Sequence, residues 1–195
     1  APGPPTAEEV LWSDPACIRS TPGTPGPAKG NLYSQSAALA IGLSNVETHG
    51  YRAGDVLYAC LPLFHMNALQ ATSFAALLAG LPLALSPRFS ASRFWQEIRA
   101  AGATVTAMLG SMASILWNQP ASADDRSGLR LVICAPVPPF AADFERRFGL
   151  RLASSFGISD YALITAYTVD DPREKLGSAG RAREGFRVRI VGADG

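Results

Sequence analysis

Short apolar runs and amphipathic stretches take turns along this 195-residue chain, and that alternation most limits its fold. The runs at residues 55–60, 81–85, 104–109, 129–134 and 150–155 are too short for helices and are predicted strands, with a further short strand at 14–19. Residues 31–46, 67–78, 90–101, 112–118 and 140–148 are predicted helices, Ser90 capping the third and Gly102 closing it. In the last helix Phe140, Phe144 and Phe148 fall at i, i+4 and i+8 and form one stripe, expected to be core, while Asp143, Glu145, Arg146 and Arg147 lie off it. Strand–helix–strand repeats of this kind specify an α/β fold: a flavodoxin-like, largely parallel sheet covered by helices, with ligands at the carboxyl ends of the strands. Residues 187–191 (RVRIV) alternate charge with apolar bulk and are predicted to form a half-exposed strand outside that parallel core.

Composition excludes several functions. The chain is 48% apolar and 17% charged, too apolar for a disordered polymer, and its net charge of +1 gives no overall field to attract nucleic acid or an anionic membrane. The longest apolar stretch, residues 74–85, is interrupted by Gly80 and Pro82 and is too short to span a bilayer. Cys17, Cys60 and Cys134 form an odd set without a C-x-x-C pair, so they read as free thiols of a reducing, cytoplasmic setting. No secretory leader pattern is present at the start, and both ends read as cuts through a larger protein.

Seven of the fifteen prolines fall within residues 1–27, and the loop at residues 20–30, STPGTPGPAKG, carries the densest polar signal. It is expected between a strand and the amino end of a helix, where backbone amides hold phosphate. Gly23 and Gly26 allow close backbone approach, Thr21 and Thr24 offer hydroxyls, and Lys29 supplies a point charge. Composition alone equally fits a Pro/Gly linker. His65, read only from its apolar neighbours, fits a hydrogen-bonded core histidine. His49 is expected on the surface at a helix end, and residues 124–126 and 170–175 as solvated loops.

Five blocks in order tip the balance. Residues 21–30 resemble the T-S-G-T-T-G-x-P-K-G phosphate loop of adenylate-forming enzymes, the superfamily of acyl-CoA synthetases, luciferases and peptide-synthetase adenylation domains. Residues 61–66 (LPLFHM) resemble its L-P-L-F-H segment, and 135–137 (APV) its G-A-P-L segment beside the adenine. Residues 156–160 (FGISD) resemble Y-G-M-T-E, and 177–181 (GSAGR) the later G-S-x-G-R turn. Residues 88–95 and 103–106 look most like the carnitine/crotonobetaine-CoA ligase branch.

The resemblance implies part of the large domain of an ATP-dependent acyl-CoA ligase. Such an enzyme joins a carboxylic acid to AMP and passes the acyl group to coenzyme A. Thr21, Gly23, Thr24, Gly26, Lys29 and Gly30 are then expected around the β- and γ-phosphates, Ser159 on the α-phosphate, and Asp160 on Mg²⁺. Ala135, Phe156 and Gly157 would flank the adenine, and His65 the acyl pocket and thiol route. The implied division is residues 1–30 as linker, short strand and phosphate loop, 31–160 as the α/β unit, and 161–195 as the start of a further β-containing segment. The ribose-binding aspartate, hinge and catalytic lysine of such enzymes fall beyond residue 195, so this stretch alone is expected to be inactive. A homo-oligomer is allowed, and the acid is not specified. Pro22, Pro25 and Ala28 replace serine, threonine and proline of the pattern, and each added proline removes an N–H donor. That substitution favours an alternative: a degenerate, non-adenylating homologue with a structural or carrier-docking role.

Overall fold

The computed structural model describes residues 9–21, 29–122, 125–158 and 163–192. In chain order it contains strands β1 (Pro15–Thr21) and β2 (Lys29–Ser34), helix α1 (Gln35–His49), β3 (Leu57–Ala59), and a π-helical segment (Asn67–Phe74) continued by α2 (Ala75–Leu78). There follow β4 (Leu83–Leu85), α3 (Phe94–Ala101), β5 (Val105–Leu109), α4 (Gly110–Trp117), β6 (Leu131–Ala135), α5 (Ala141–Phe148), β7 (Arg151–Gly157), β8 (Leu163–Tyr167) and β9 (Arg181–Ala182).

Seven strands form one sheet in the order β4-β3-β5-β6-β7-β8-β9. The first five are parallel, and β8 and β9 add antiparallel strands to the same sheet. The parallel strands lie in the order second, first, third, fourth, fifth, which is the flavodoxin-like winding. Alternation along each strand divides the core in two. Tyr58, Met108, Val132, Cys134 and Leu152 face α3, α4 and α5, where Phe94, Trp95, Phe144 and Phe148 fill the space. Trp95 stacks on Phe148 at 4.6 Å between ring centroids. The other face carries Leu57, Val105, Ala107, Leu131, Ile133 and Ala153, and packs on Ala75 and Ala76. The phenylalanine stripe is core, as its spacing requires.

Several expectations need correcting. The loop at residues 20–30 does not lead into a helix. Residues 29–34 form β2, which pairs antiparallel with β1 from Thr21↔Lys29 to Pro15↔Ser34. A whole strand therefore separates the loop from α1, whose amino end is capped instead by Ser34, with the Ala37 N–H donating to Ser34 Oγ. Ser90 caps nothing: the Arg93 N–H bonds the Ser90 carbonyl in a preceding turn, and α3 starts at Phe94.

His49 is buried, at 2% exposure. Asp125 and Asp171 are buried as well, because Arg147 pairs with Asp125 at 2.7 Å and Arg181 with Asp171 at 2.8 Å. Residues 187–191 form no strand, and Ile190 is fully exposed. An alternating pattern makes a strand only where it pairs with a neighbouring one, and among the described residues 187–191 pair with no strand. Among the described residues no helix is long and apolar enough to cross a membrane.

Candidate functional site

Strands β5, β6 and β7 end side by side at Leu109, Ala135 and Gly157. Ligands of such sheets collect just beyond these ends, and two cavities lie there. The first, of about 190 Å³, occupies the face covered by α1 and the π-helical segment. One wall is the sheet: Val105, Ala107 and Leu109 of β5, Ile133 and Ala135 of β6, Ser155 and Gly157 of β7. These residues share a face because they are two apart along each strand. The opposite wall is Met66, Asn67, Ala71 and Thr72, and Tyr51 also lines the space.

The π winding is sustained by hydroxyls that reach back five residues. Thr72 Oγ donates to the Asn67 carbonyl at 2.9 Å, and Ser73 Oγ to that of Ala68 at 2.7 Å. Unwound turns of this kind are frequent at functional sites.

The second cavity, of about 280 Å³, lies between Ala135, Pro136 and Val137 after β6, Ser154, Ser155 and Phe156 of β7, and Gly177, Ser178 and Ala179. Ala135 and Ser155 line both cavities, so the two spaces share walls. The Ala135–Pro136 peptide is cis. Gly110 opens α4 against this turn, and a Cβ there would sit 2.5 Å from the Pro136 carbonyl oxygen. Only glycine lets the two chain segments approach so closely.

His65 is exposed and lines the first cavity. Its Nδ1 accepts the Asn67 N–H at 3.1 Å, so in the neutral ring the proton sits on Nε2. Partial burial, and then the charge of Arg19, lower its pKa below the ordinary histidine value. At neutral pH the ring therefore brings no charge to the cavity. Arg19 itself stacks over Tyr33 at 5.4 Å and bonds Gln70 of the π-helical segment, which ties the β1–β2 hairpin to the elements around His65.

Of the candidate phosphate-binding residues, Lys29 and Gly30 stand exposed at the start of β2, with Thr21 paired to Lys29 across the hairpin, and neither Lys29 nor Gly30 lines either cavity. Gly23, Thr24, Gly26, Ser159 and Asp160 lie outside the described residues. Phe156 is half exposed beside the second cavity, and Ala135 and Gly157 stand as given above.

Cys60 and Cys134 are buried on the opposite face, where burial raises their thiols to about 11 and about 12, so neither is a nucleophile near neutral pH. Among the described residues no group of three or more His, Cys, Asp or Glu side chains is placed to hold a metal ion. Sequence reasoning missed Tyr51, Ala71 and Ala107. Only the small residue between Val105 and Leu109 hinted at space on that face of β5.

The match to known proteins is extensive. The profile of the AMP-binding enzyme family matches residues 2–195. The chain belongs to that family. AMP-binding relatives include the sulfoacetate–CoA ligase of Cupriavidus necator, 34% identical over 93% of this chain and 36% of its own length. The indoleacetate–CoA ligase of Aromatoleum aromaticum is 32% identical over 98% of the chain and 38% of its length. The chain thus spans little more than a third of either relative.

Among solved structures, a malonyl-CoA ligase in a ternary product complex with methylmalonyl-CoA and AMP superposes with a TM-score of 0.81 at 27% identity, over 93% of this chain and 41% of that one. The N-terminal domain of FACL13 from Mycobacterium tuberculosis gives 0.80 at 24% identity, over 90% of this chain and 45% of that one, which shows the shared fold.

Proposed function

We propose that the protein carrying this chain is an ATP-dependent acyl-CoA ligase. A carboxylate oxygen attacks the α-phosphorus of ATP, the acyl-adenylate forms as pyrophosphate leaves, and the thiol of coenzyme A then displaces AMP. The observation that carries the reading is the pair of cavities with Ala135 and Ser155 as common walls. An acyl-adenylate is an acyl group and an adenosine joined by one phosphate, and adjoining spaces at one sheet edge suit its two halves.

In this reading Ala135, Phe156 and Gly157 flank the adenine, and His65 stands beside the acyl group and the thiol's approach. Thr21, Gly23, Thr24, Gly26, Lys29 and Gly30 gather the outer phosphates, and Ser159 donates to the α-phosphate. Such sites act chiefly by positioning and by charge stabilisation. Asp160 is the proposed ligand of Mg²⁺, which would screen the phosphate charge when bound. We take residues 161–195 as the opening of a further β-rich segment, supported by the change to antiparallel pairing after β7. A cytoplasmic setting is supported by three free thiols. The resemblance at residues 88–95 supports descent near the carnitine/crotonobetaine-CoA ligase branch. It does not bear on the acid, since Phe94 and Trp95 pack in the core on the far face of the sheet.

One observation favours a second reading, a homologue that no longer adenylates. The phosphate loop has lost donors at Pro22 and Pro25, and it joins two strands rather than leading into a helix. Exchange of labelled pyrophosphate into ATP separates the two. The ligase reading expects exchange that depends on added carboxylic acid. No exchange with a broad acid panel, together with no ATP binding by calorimetry, refutes it.

A further inference from the structure

The chemistry of the first cavity restricts the acid. We infer that the substrate is a monocarboxylic acid whose tail is uncharged and apolar and holds about seven or eight heavy atoms; this rests on the acyl-CoA ligase reading. Its size follows from volume. A cavity of about 150 Å³ holds benzene, so the 190 Å³ here admits a slightly larger group. Its length follows from the strand that lines it. From Leu109 at the carboxyl end of β5 to Val105 at its start is four residue steps, roughly 13 Å at about 3.3 Å each. Along β5 the space is therefore long enough for a chain or a single ring with a short linker.

Its polarity follows from the walls. Among the described lining residues there is no Asp, Glu, Lys or Arg. Three of the polar side chains present are already engaged. Asn45 Nδ2 donates to the Ile41 carbonyl at 2.8 Å, Thr72 Oγ to Asn67 at 2.9 Å, and Thr106 Oγ to Tyr58 at 2.8 Å. Burial also raises the pKa of Tyr51, which keeps its phenol neutral. A sulfonate, a second carboxylate or a trimethylammonium group on the tail would lose its water and gain no counter-charge from the described lining residues.

The full-length protein is to be assayed for acid-dependent AMP and thioester formation with octanoate, phenylacetate, malonate, sulfoacetate and carnitine. The expected result is a kcat/KM for octanoate or phenylacetate at least about a hundredfold above each charged-tail acid. Comparable or better turnover of a charged-tail acid overturns the inference while leaving the ligase reading intact. No turnover of any acid overturns both.

Two variants on opposite walls check the location. Ala71→Phe fills the space, and Ala107→Val adds two methyl groups from the sheet side. Each is expected to lower kcat/KM for octanoate at least about tenfold while propionate is affected less. An equal loss with octanoate and propionate in both variants, with urea midpoints unchanged, places the tail elsewhere and overturns the inference.

Discussion

Asp55 is the sharpest point at which this structure can be tested. The residue lies just before β3 and is 4% exposed. Its Oδ1 accepts from Arg130 Nε at 2.8 Å and from Thr104 Oγ at 2.8 Å, its Oδ2 accepts the Arg52 N–H at 2.7 Å, and Arg130 Nη2 also bonds Oδ2. The same Arg130 Nη2 reaches the Gly50 carbonyl at the end of α1 at 3.1 Å. One carboxylate thus joins α1, β3, β5 and β6 next to Tyr51.

Burial alone would raise the Asp55 pKa; the hydrogen bonds from Arg130, Thr104 and Arg52 outweigh it and hold the group at about 2, against 3.8 when free. That difference converts to about 2.4 kcal/mol at 1.36 kcal/mol per pKa unit. The folded pKa is depressed, so the contribution is complete well above pH 4 and disappears as pH falls through about 2. Roughly half, about 1.3 kcal/mol, remains at pH 3. Asp55→Asn imitates the protonated acid in shape. Urea unfolding is expected to show the variant about 2 to 3 kcal/mol less stable at pH 7, and about half that at pH 3. An equal deficit at both pH values, or less than about 0.5 kcal/mol at pH 7, would refute the reasoning.

Further outcomes follow from other residues. His49 is held near pKa 4 by burial and then by the charge of Arg183, and neither ring nitrogen has a hydrogen-bond partner. Because the folded pKa lies below the free value of 6.5, stability should fall as pH drops from 6.5 to 4, by up to about 3 kcal/mol. His49→Leu should flatten that slope; a variant with the wild-type slope in urea midpoints contradicts it. Gly180 has φ +78°, and a Cβ would lie 1.9 Å from the Ala166 backbone. Gly180→Ala is expected to cost about 3 kcal/mol or more by thermal unfolding, and a change below about 1 kcal/mol would be contrary.

Glu145 accepts the Leu152 N–H at 2.7 Å and pairs with Arg173, a few residues before the Gly177–Ala179 wall of the second cavity. Glu145→Gln should weaken AMP binding roughly threefold to tenfold by calorimetry without touching the nucleotide; unchanged affinity would dissociate that wall from the ion pair.

What the sequence revealed and concealed follows from the range of the interactions. The parallel strands announced themselves because both faces are buried, so each reads as an apolar run such as Leu131–Ala135. The α5 stripe needed only its own spacing. Strand β2 stayed hidden because Asn31, Leu32 and Tyr33 run directly into the alanine-rich α1, and only pairing with β1 draws them out of the helix. Asp125 and Asp171 read as solvated because their partners, Arg147 and Arg181, lie 22 and 10 positions away in the sequence.

At the candidate site, His65, Ala135, Phe156 and Gly157 were marked by short blocks of sequence, and the structure sets them around the two cavities. Tyr51, Ala71 and Ala107 were not. Tyr51 and Ala71 carry no local sign of the space they face, Ala107 only its small size between Val105 and Leu109, and that space exists only once the π-helical segment lies across β5.

The most direct measurement is a crystal structure of the protein with a non-hydrolysable acyl-adenylate analogue bearing an octanoyl group. The account expects the adenine between residues 135–137 and 177–179, the octanoyl chain along β5 toward Tyr51, and the joining group next to Ala135 and Ser155. An analogue bound away from these strand ends, or with adenosine and acyl group in exchanged cavities, would contradict it.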